Sequence, residues 1–518
     1  MLTARGLFGF AVKSPPLQGR GQVRALSASS YESLVDEVST TRRLEQISAL
    51  VHWDSMVTMP QTDNHHAARG LQSQALAGVI HERSTSPEIG KLIAAVDETT
   101  LKGKELANFR LMSKTYKESC AIPAELEKKK AQVSNDAYVS WTKAREASDF
   151  NMFSPLLNEA FSVAGEVAAL RMDGEASVYD KMLDDFERGL PSARVGEIFD
   201  EVEAALPPLI ERVLASQNAP DPRPLSGDFP LAAQEEFNKE IVAALGFKGR
   251  SDVSVHPFTT SFSPADVRIT TRFDEKEWYQ GLAGSVHEAG HGIYESNLDG
   301  DLTVDSPLSM GTHESQSLFW ERHVGMSRAF VKFMGPRWRK AFGREESDEE
   351  IYRAINTVKR SLIRVEADEL TYPLHVILRT RIERDVVNGK VAVEDIPRLW
   401  NEGMKEMLDV EVPEDSKGCL QDVHWSGLAI GYFPTYLLGA VAAAQLEHHA
   451  RVELGNFDEL IERGEFDKIQ AWLRDKVHRH GSEPSSIDEL FKEQLGEELK
   501  SSYFIKYLTD KYSRIYGL

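Results

Sequence analysis

The chain contains 518 residues, of which 41% are hydrophobic and 27% are charged, a composition typical of a soluble globular protein. Its net charge of −21 argues against binding to nucleic acid or to an anionic membrane surface, because both need clustered lysine and arginine. No stretch reaches the roughly 18 to 20 apolar residues of a membrane-spanning helix. The two cysteines, Cys120 and Cys419, are too few for a disulfide framework and fit a reducing compartment.

The N-terminal segment, residues 1–29, differs in composition from the rest of the chain. It contains arginine, serine and small residues but no acid, and the first acid in the chain is Glu32. This composition is typical of an organellar transit peptide. We therefore predict that residues 1–29 direct the protein to a mitochondrion or plastid and that residues 30–518 form the functional domain. A disordered extension on a cytoplasmic protein is the alternative, and a secretory signal is a weaker one.

Apolar residues recur at helical spacing through most of the chain after residue 30, for example at Leu44, Ile47 and Val51. Long helical patterns cover 104–147, 150–173, 191–216, 231–245, 348–388, 393–408 and 455–475. The apolar run "FPTYLLGAVAAAQL" (433–446) is too short to span a membrane and predicts a buried helix. Together these patterns predict a mostly α-helical fold.

One segment has the alternating pattern of a β-strand. In "DVRITTRF" (266–273), Arg268, Thr270 and Arg272 alternate with residues of a more apolar face. A helical pattern resumes a few residues later. We therefore predict one small β-sheet beside the helix that follows this segment.

That helix carries the most informative motif of the chain, "SVHEAGHGIYE" (285–295). Residues four apart share one face of a helix, so His287 and His291 can bind the same ion, and neutral imidazoles suit Zn²⁺. Glu288 lies about 100° further around the helix, where it can act as general base on a zinc-bound water. This is the H-E-x-x-H arrangement of zinc peptidases, although a chance match with ordinary polar histidines is the alternative.

A catalytic zinc site needs a third ligand, and two carboxylates are candidates. No further histidine follows His291 closely, so the ligand must come from elsewhere. Glu314 in "MGTHESQSLFWE" can come from a second, packed helix, and we predict that it is the third ligand. Glu295 lies one turn beyond His291, and we expect it to form a salt bridge or support the ligands instead.

A peptidase also needs donors for the developing oxyanion. The segment "DVHWSGLAIGYFPTYLLG" (422–439) contains His424, Tyr432 and Tyr436 among small residues, in a pattern typical of a bent loop that leads into a helix. Tyrosine hydroxyls are suitable neutral donors. A role as core aromatics is equally consistent with the pattern.

An exopeptidase needs, in addition, a cation that binds the terminal carboxylate of its substrate, and arginine does this with two parallel hydrogen bonds. Arg268 and Arg364 are the candidates. Taken alone, Arg364 is better explained by an ion pair with Asp368 on one helix face, so these residues do not separate exopeptidase from endopeptidase.

Several motifs together resemble the thermostable (Taq-type) metallocarboxypeptidases, a family of HEXXH gluzincin-type peptidases. They occur in the order seen in that family, and the resemblance runs from about residue 30 to the C-terminus. The motifs are "HWDSMVTMP" (52–60), "HPF" (256–258), "DVRITTR" (266–272), "HEAGH" (287–291), "HESQ" (313–316), "IRVEAD" (363–368) and "GYFPTY" (431–436).

The resemblance implies a neurolysin-like helical fold with a deep cleft, usually in a homodimer. It implies release of single C-terminal residues from peptides with broad specificity, proline being disfavoured. It makes His287, His291 and Glu314 the zinc ligands, with Co²⁺ or Mn²⁺ as possible substitutes, and Glu288 the general base.

By the same resemblance, Arg268 and Arg364 would lie in the cleft near the C-terminal end of the substrate, and we predict that His424 also binds substrate. Tyr432 and Tyr436 would lie near the scissile carbonyl. The segment "SNLDGDLTVDSPLSMGT" (296–312) is shorter and more acidic than its counterpart in the family.

Two other functions remain as alternatives. One is an endo-acting zinc oligopeptidase on the same helical scaffold, and the other is a non-catalytic helical interaction protein. The histidines in "NHHAARG", "EHHARV" and "HRHGS" are expected on the solvated surface because their neighbours are charged.

Overall fold

The computed structural model describes residues 29–518, and in these residues the fold is mostly helical with one small β-sheet, as predicted. Helix α1 (Ser30–Val57) begins at a capping box: the Ser29 hydroxyl accepts from the Glu32 backbone N–H, and the Glu32 carboxylate accepts from the Ser29 backbone N–H. The proposed transit peptide, apart from its last residue, lies outside the described residues. The functional division of the chain after residue 29 stays a prediction.

The N-terminal half of the described chain is helical almost throughout. Its helices are α1, α2 (Asp63–Ser84), α3 (Pro87–Ala95), α4 (Gly103–Ala121), α5 (Ala124–Ala147), α6 (Ser154–Arg171), α7 (Val178–Asp184), α8 (Ser192–Leu214) and α9 (Leu231–Ala244). The pattern at 104–147 is two helices rather than one, because Pro123 precedes α5 and has no backbone N–H to continue the hydrogen-bond ladder of α4.

The C-terminal half supplies the other helices of the fold. They are α10 (Tyr279–Ser296), α11 (Met310–Leu318), α12 (Arg328–Phe342), α13 (Asp348–Ile355), α14 (Tyr372–Val387), α15 (Ile396–Leu408), α16 (Phe433–Leu454), α17 (Phe457–Arg463), α18 (Phe466–Lys476), α19 (Ile487–Leu495) and α20 (Ser501–Tyr516).

Two further helical patterns are also wrong as single helices. The pattern at 348–388 is interrupted between α13 and α14, where the Asp368 carboxylate accepts hydrogen bonds from the backbone N–H groups of Lys359, Leu370 and Thr371. These hydrogen bonds give the three backbone N–H groups an acceptor that is not a carbonyl oxygen of a helix. The pattern at 455–475 is split at Gly464, whose φ of +73° ends α17 in a left-handed conformation that favours glycine.

The sheet consists of three short strands next to α10. Strand β3 (Asp266–Thr271) lies in the centre, parallel to β1 (Arg250–Val253) and antiparallel to β2 (Phe258–Ser263). The predicted strand at 266–273 is therefore confirmed, although it ends two residues early. Val267 and Ile269 on β3 are buried, and the sheet packs against α10.

The core of the C-terminal half is centred on α16, which packs closely against α11. Almost every residue from Phe433 to Ala450 is buried, so the prediction of a buried helix in this stretch is confirmed. Within residues 29–518, no helix has the length and apolar character needed to cross a membrane.

Candidate metal centre

Three predicted ligands meet where α10 and α11 pack together. His287 and His291 project from one face of α10, and Glu314 comes from α11. The Glu314 Oε2 atom lies 3.4 Å from His291 Nε2 and 3.7 Å from His287 Nε2. One potential ligand atom of each residue lies within 4.8 Å of those of the other two. The three groups therefore converge on one point, as their spacing in the sequence predicts.

Two helical glycines allow this close approach. An added Cβ on Gly290 would lie 2.7 Å from the carbonyl oxygen of Gln316 on α11. An added Cβ on Gly439 of α16 would lie 2.7 Å from the Glu314 Cβ atom. Since real Cβ atoms do not approach other heavy atoms so closely, α11 can fit between α10 and α16 only because both positions lack a side chain.

Hydrogen bonds fix the orientation of both imidazole rings. His287 Nδ1 lies 2.7 Å from Glu321 Oε2, and His291 Nδ1 lies 3.1 Å from the carbonyl oxygen of His313. Each bond leaves Nε2 directed at Glu314 and available as a ligand. Glu321 lies in the π-helical segment Phe319–Gly325 that directly follows α11. Nothing in the local sequence distinguishes Glu321 from an ordinary surface acid.

Negative charges predominate among the side chains at this point. Burial alone would lower the pKa of His287, but the carboxylates of Glu314 and Glu321 outweigh it and raise this pKa to about 10. Burial would raise the pKa of Glu314, but the two histidines outweigh it and lower this pKa to about 2. Burial lowers the pKa of His291 to about 4, so this imidazole is neutral near pH 7. The group is therefore suited to hold a cation.

Glu288, the predicted base, lies beside this group but does not join it. Its side chain is buried, and its Oε2 atom accepts a hydrogen bond of 2.6 Å from the Thr259 hydroxyl on β2. Burial raises the pKa of Glu288. The sheet thus holds the carboxylate in place, which the sequence did not reveal because Thr259 belongs to no recognised catalytic motif.

Glu295, the other candidate ligand, points away from the three converging groups. Its Oε1 atom lies 3.0 Å from His313 Nε2, and the His313 ring stacks on that of His291 with centroids 4.4 Å apart. Glu295 therefore supports His291 through an intermediate side chain.

One expectation about the remaining histidines is wrong. His478, in "HRHGS", is fully buried, and its Nε2 atom lies 2.9 Å from Gln316 Oε1 on α11. The charged neighbours in the sequence point to solvent while His478 itself points into the core.

A second cluster gathers four of the predicted substrate-binding and catalytic residues. His424 Nε2 lies 3.0 Å from the Tyr436 hydroxyl, and the rings of Tyr432 and Tyr436 lie 5.3 Å apart. The guanidinium of Arg364 stacks 4.8 Å from the Tyr436 ring. Burial, with a further contribution from the Glu314 carboxylate, raises the pKa of Tyr432 and of Tyr436. Both hydroxyls therefore stay neutral donors, close enough to the metal-binding group to be influenced by its charge.

Arg364 is held by a partner that differs from the predicted one. Its Nε and Nη2 atoms donate to Asp422 Oδ1 at 3.1 and 2.8 Å, and Arg379 Nε donates to Asp422 Oδ2 at 2.6 Å. The predicted ion pair with Asp368 is wrong, because Arg364 lies in the short 3-10 turn Arg364–Glu366 and not on a long helix. Asp422 is the first residue of the segment that holds His424 and the tyrosines.

Arg268 lies apart from both clusters. Its guanidinium donates two hydrogen bonds of 2.9 Å to Asp266 and stacks 4.6 Å from the ring of Trp53 on α1. It points to the face of β3 opposite Val267 and Ile269, which face the core. Within residues 29–518, no hydrogen bond or ion pair joins Arg268 to the metal-binding group or to Arg364.

A helical scaffold in which two histidines of an H-E-x-x-H helix and a carboxylate of a second helix converge is the arrangement found in metallopeptidases. Comparison with known proteins identifies the family within this class. The sequence profile described as Carboxypeptidase Taq (M32) metallopeptidase matches residues 33–512.

The chain is 38% identical to Carboxypeptidase 1 of Bacillus subtilis (strain 168), over 91% of this chain and 95% of that protein. It is 35% identical to Thermostable carboxypeptidase 1 of Thermus thermophilus, over 94% of this chain and 99% of that protein. Its structure is similar to that of the M32 carboxypeptidase from Deinococcus radiodurans R1, with a TM-score of 0.91 and 34% identity over 95% of this chain and 100% of that chain. The chain belongs to the Carboxypeptidase Taq (M32) metallopeptidase family.

Proposed function

We propose that this protein is a zinc carboxypeptidase that releases single C-terminal amino acids from peptides. The observation that carries the proposal is the separation of the three ligand atoms. Groups bound at about 2.1 Å to one tetrahedral ion are about 3.4 Å apart, and the Glu314 oxygen lies 3.4 and 3.7 Å from the two Nε2 atoms. His287, His291 and Glu314 would therefore hold the ion, one per chain.

The donor set also supports zinc as the metal. Two imidazole nitrogens and one carboxylate oxygen are a common ligand set of catalytic zinc and leave a position open, although Co²⁺ or Mn²⁺ could bind the same groups. When bound, zinc would act as a Lewis acid on the scissile carbonyl and make water acidic enough to react near neutral pH.

Glu288 would act as the general base and then as the general acid. Its hydrogen bond to Thr259 fixes the carboxylate, and burial raises its pKa towards the range in which a carboxylate accepts a proton efficiently. In this role Glu288 takes a proton from the attacking water and delivers it to the nitrogen of the departing amino acid.

Tyr432 and Tyr436 would donate hydrogen bonds to the oxyanion that forms from the scissile carbonyl. Their raised pKa keeps both hydroxyls protonated, and His424 orients the Tyr436 hydroxyl through the 3.0 Å contact.

Arg364 would bind the terminal carboxylate of the substrate, because Asp422 engages only its Nε and Nη2 atoms. Its Nη1 group lies 3.4 Å from the Tyr372 hydroxyl and retains a donor for a ligand. Arg268 is a second candidate, although its present contacts are with Asp266 and Trp53.

The experiment that tests the function compares two peptides of the same sequence, one with a free C-terminus and one with a C-terminal amide. Mass spectrometry of the products should show a ladder of single residues lost from the free peptide only, abolished by a chelator. Equal internal cleavage of both peptides would replace this proposal with an endo-acting oligopeptidase.

Two finer features of the proposal follow from the family resemblance, and a third follows from the acid-free composition of residues 1–29. We propose broad specificity with proline disfavoured, a homodimer, and location in a mitochondrion or plastid. Product rates from peptides that differ only in the last residue, sedimentation velocity, and microscopy of the full chain with a C-terminal fluorescent tag would test them in turn.

A further inference from the structure

A cavity of about 240 Å³ lies between the N-terminal helices and the loop that leads into α11. It is lined by α1, α3 and α4, by Ser84 at the end of α2 and by Thr303 and Ser306 of the loop, and it contains none of the residues assigned above to metal or substrate. A dry cavity of about 150 Å³ can hold benzene. This one therefore has room for a somewhat larger molecule.

One face of α1 gives the cavity its polar groups. Val38, Thr41, Arg42 and Glu45 follow the spacing i, i+3, i+4 and i+7, and all four line the cavity. Thr41 is only 6% exposed, yet its hydroxyl has no hydrogen-bond partner among the described residues. A buried hydroxyl without a partner is costly, so a polar ligand atom that came within reach of Thr41 would be stabilised.

Two opposite charges lie on the same rim. Arg42 donates to the carbonyl oxygens of Leu302 and Asp305, the second bond being 2.9 Å long, which uses two of its five N–H groups. Across residues 29–518, neither Arg42 nor Glu45 forms an ion pair within 4 Å. A guanidinium with N–H groups still available and an exposed carboxylate, three residues apart on one helix, match the two charges of a zwitterion.

Part of the lining is apolar. Ile89 of α3 and Met112 of α4 are 5% and 2% exposed, and with Val38 of α1 they form the uncharged part of the cavity, which Thr115 and Tyr116 of α4 also line. A ligand that places charged groups at the rim must therefore place an apolar group inside.

We propose that this cavity binds a free α-amino acid with an apolar side chain. Its carboxylate would bind Arg42, its ammonium group would bind Glu45, and its side chain would contact Val38, Ile89 and Met112. The proposal rests on the cavity and not on the proposed peptidase activity, although a carboxypeptidase would release such ligands. Because Arg42 also holds the 302–305 segment that leads to Glu314, occupancy of the cavity would stabilise that segment.

Two measurements on the metal-loaded protein test the proposal. Crystals soaked in L-selenomethionine should show anomalous selenium scattering beside Met112. Calorimetric titration with L-leucine should show saturable binding that is at least about tenfold weaker in Glu45→Gln, since a charged hydrogen bond is lost. Leucinamide and N-acetyl-leucine, which each lack one charge, should bind with similarly reduced affinity.

Asp36→Asn, an exposed acid on the same helix that does not line the cavity, is the matched control and should bind leucine as the wild type does. Val38→Phe, which fills the cavity, is a second variant that should abolish binding. Equal leucine affinity in wild type and Glu45→Gln would overturn the proposal. Selenium scattering found only near His287, His291 and Glu314 would also overturn it, as would binding at crystal concentration only. Peptide hydrolysis by Glu45→Gln is measured separately, without free amino acids. This measurement distinguishes a failure of the proposed leucine site from a failure of the proposed peptidase function.

Discussion

Glu288 and Glu321 are two acids near His287, and their contacts indicate different roles. Glu288 accepts its hydrogen bond from Thr259 and contributes no atom to the converging ligands, whereas Glu321 is bonded to His287 Nδ1. In the proposed mechanism, the first contact leaves a carboxylate free to move a proton, and the second would fix the orientation of a metal ligand. Substitution should separate these two roles.

Glu288→Gln should retain the metal and lose hydrolysis. The amide keeps the shape of the side chain but cannot accept a proton, so kcat should fall by about 10²- to 10⁴-fold. Metal content by mass spectrometry and steady-state kinetics on one peptide are the measurements. Near-normal kcat in a variant with full metal content would show that Glu288 is not the base.

Glu321→Ala should instead weaken metal binding and leave the reaction itself largely intact once metal is bound. Loss of the bond to His287 Nδ1 should weaken metal affinity by about 10- to 100-fold, since the ring is no longer held with Nε2 towards Glu314. Competition with a fluorescent chelator measures the affinity. If saturating metal does not restore most of kcat, Glu321 has a role in the reaction beyond orienting the ligand.

Glu187 gives a prediction about pH. It is fully buried, it accepts a hydrogen bond of 2.9 Å from the Gly311 N–H at the start of α11, and burial raises its pKa from 4.5 to about 7. Because the folded-state pKa is the higher one, ionisation destabilises the fold. The resulting loss of stability is absent below about pH 4.5, grows as the pH rises to about 7, and is constant above that pH.

Glu187→Gln removes that titration. The free energy of unfolding of the variant relative to wild type should rise by on the order of 3 kcal/mol between pH 4.5 and pH 8. Urea unfolding at several pH values measures the difference. Glu236→Gln, which removes an exposed acid on α9, is the control and should give a flat difference. A flat difference for Glu187→Gln as well would contradict the account.

At the scale of single residues, the convergence of the candidate ligands was easier to predict than the contacts that support them. His287, His291 and Glu314 were predicted because a helix of period 3.6 and a zinc ligand set together restrict the choice. Glu321, Asp422 and Thr259 were not, because each acts through a hydrogen bond that only the folded chain creates. One side chain accepting a bond from another leaves no periodic signal in the sequence.

Secondary structure elements bring these residues together through close helix contacts. Helix α11 lies between α10 and α16 at two glycines, and the π-helical segment Phe319–Gly325 continues directly from it. A π-helical turn shifts side chains relative to an ordinary helix and is often found at functional sites. Here this segment brings Glu321 to His287, so the geometry of the site depends on elements as much as on ligands.

Gly439→Ala tests this dependence. The added methyl group would lie 2.7 Å from Glu314 Cβ, so α11 or α16 must shift and the ligand with it. We expect a loss of about 1–3 kcal/mol in stability, as for an overpacked core, and weaker metal binding. Thermal unfolding and metal titration are the measurements.

Gly196→Ala on α8 is the matched control for this variant. A Cβ there meets nothing within 4 Å, so the change should stabilise the helix by about 0.5–1 kcal/mol. Unchanged metal affinity in Gly439→Ala would show that the contact between α11 and α16 does not position Glu314.

Element types were predictable where the apolar pattern was long, as for α16 and the strand at 266–271. One predicted helix failed where a side chain replaced the hydrogen bonds of the helix. Asp368 binds three backbone N–H groups and interrupts the pattern at 348–388, which is why the expected partner of Arg364 was wrong. Whether backbone N–H groups bond to a side chain or within a helix is decided here by the fold and not by local helix propensity.

At the scale of the whole molecule, distant segments meet around the sheet and the α10–α11 pair. Trp53 of α1 stacks on Arg268 of β3, and Arg42 of α1 holds the loop before α11. Helix α1 therefore contacts both the sheet beside α10 and the loop before α11. These contacts join residues more than two hundred positions apart, which no local pattern in the sequence predicts.

The most direct test is X-ray diffraction from zinc-loaded crystals on both sides of the zinc absorption edge. The account predicts one strong anomalous peak per chain within about 2.2 Å of His287 Nε2, His291 Nε2 and a Glu314 oxygen. Loss of this peak in crystals of His287→Ala, together with loss of peptide hydrolysis, would agree with it. An active wild-type crystal with no peak at these three residues, or with its only zinc elsewhere, would contradict it.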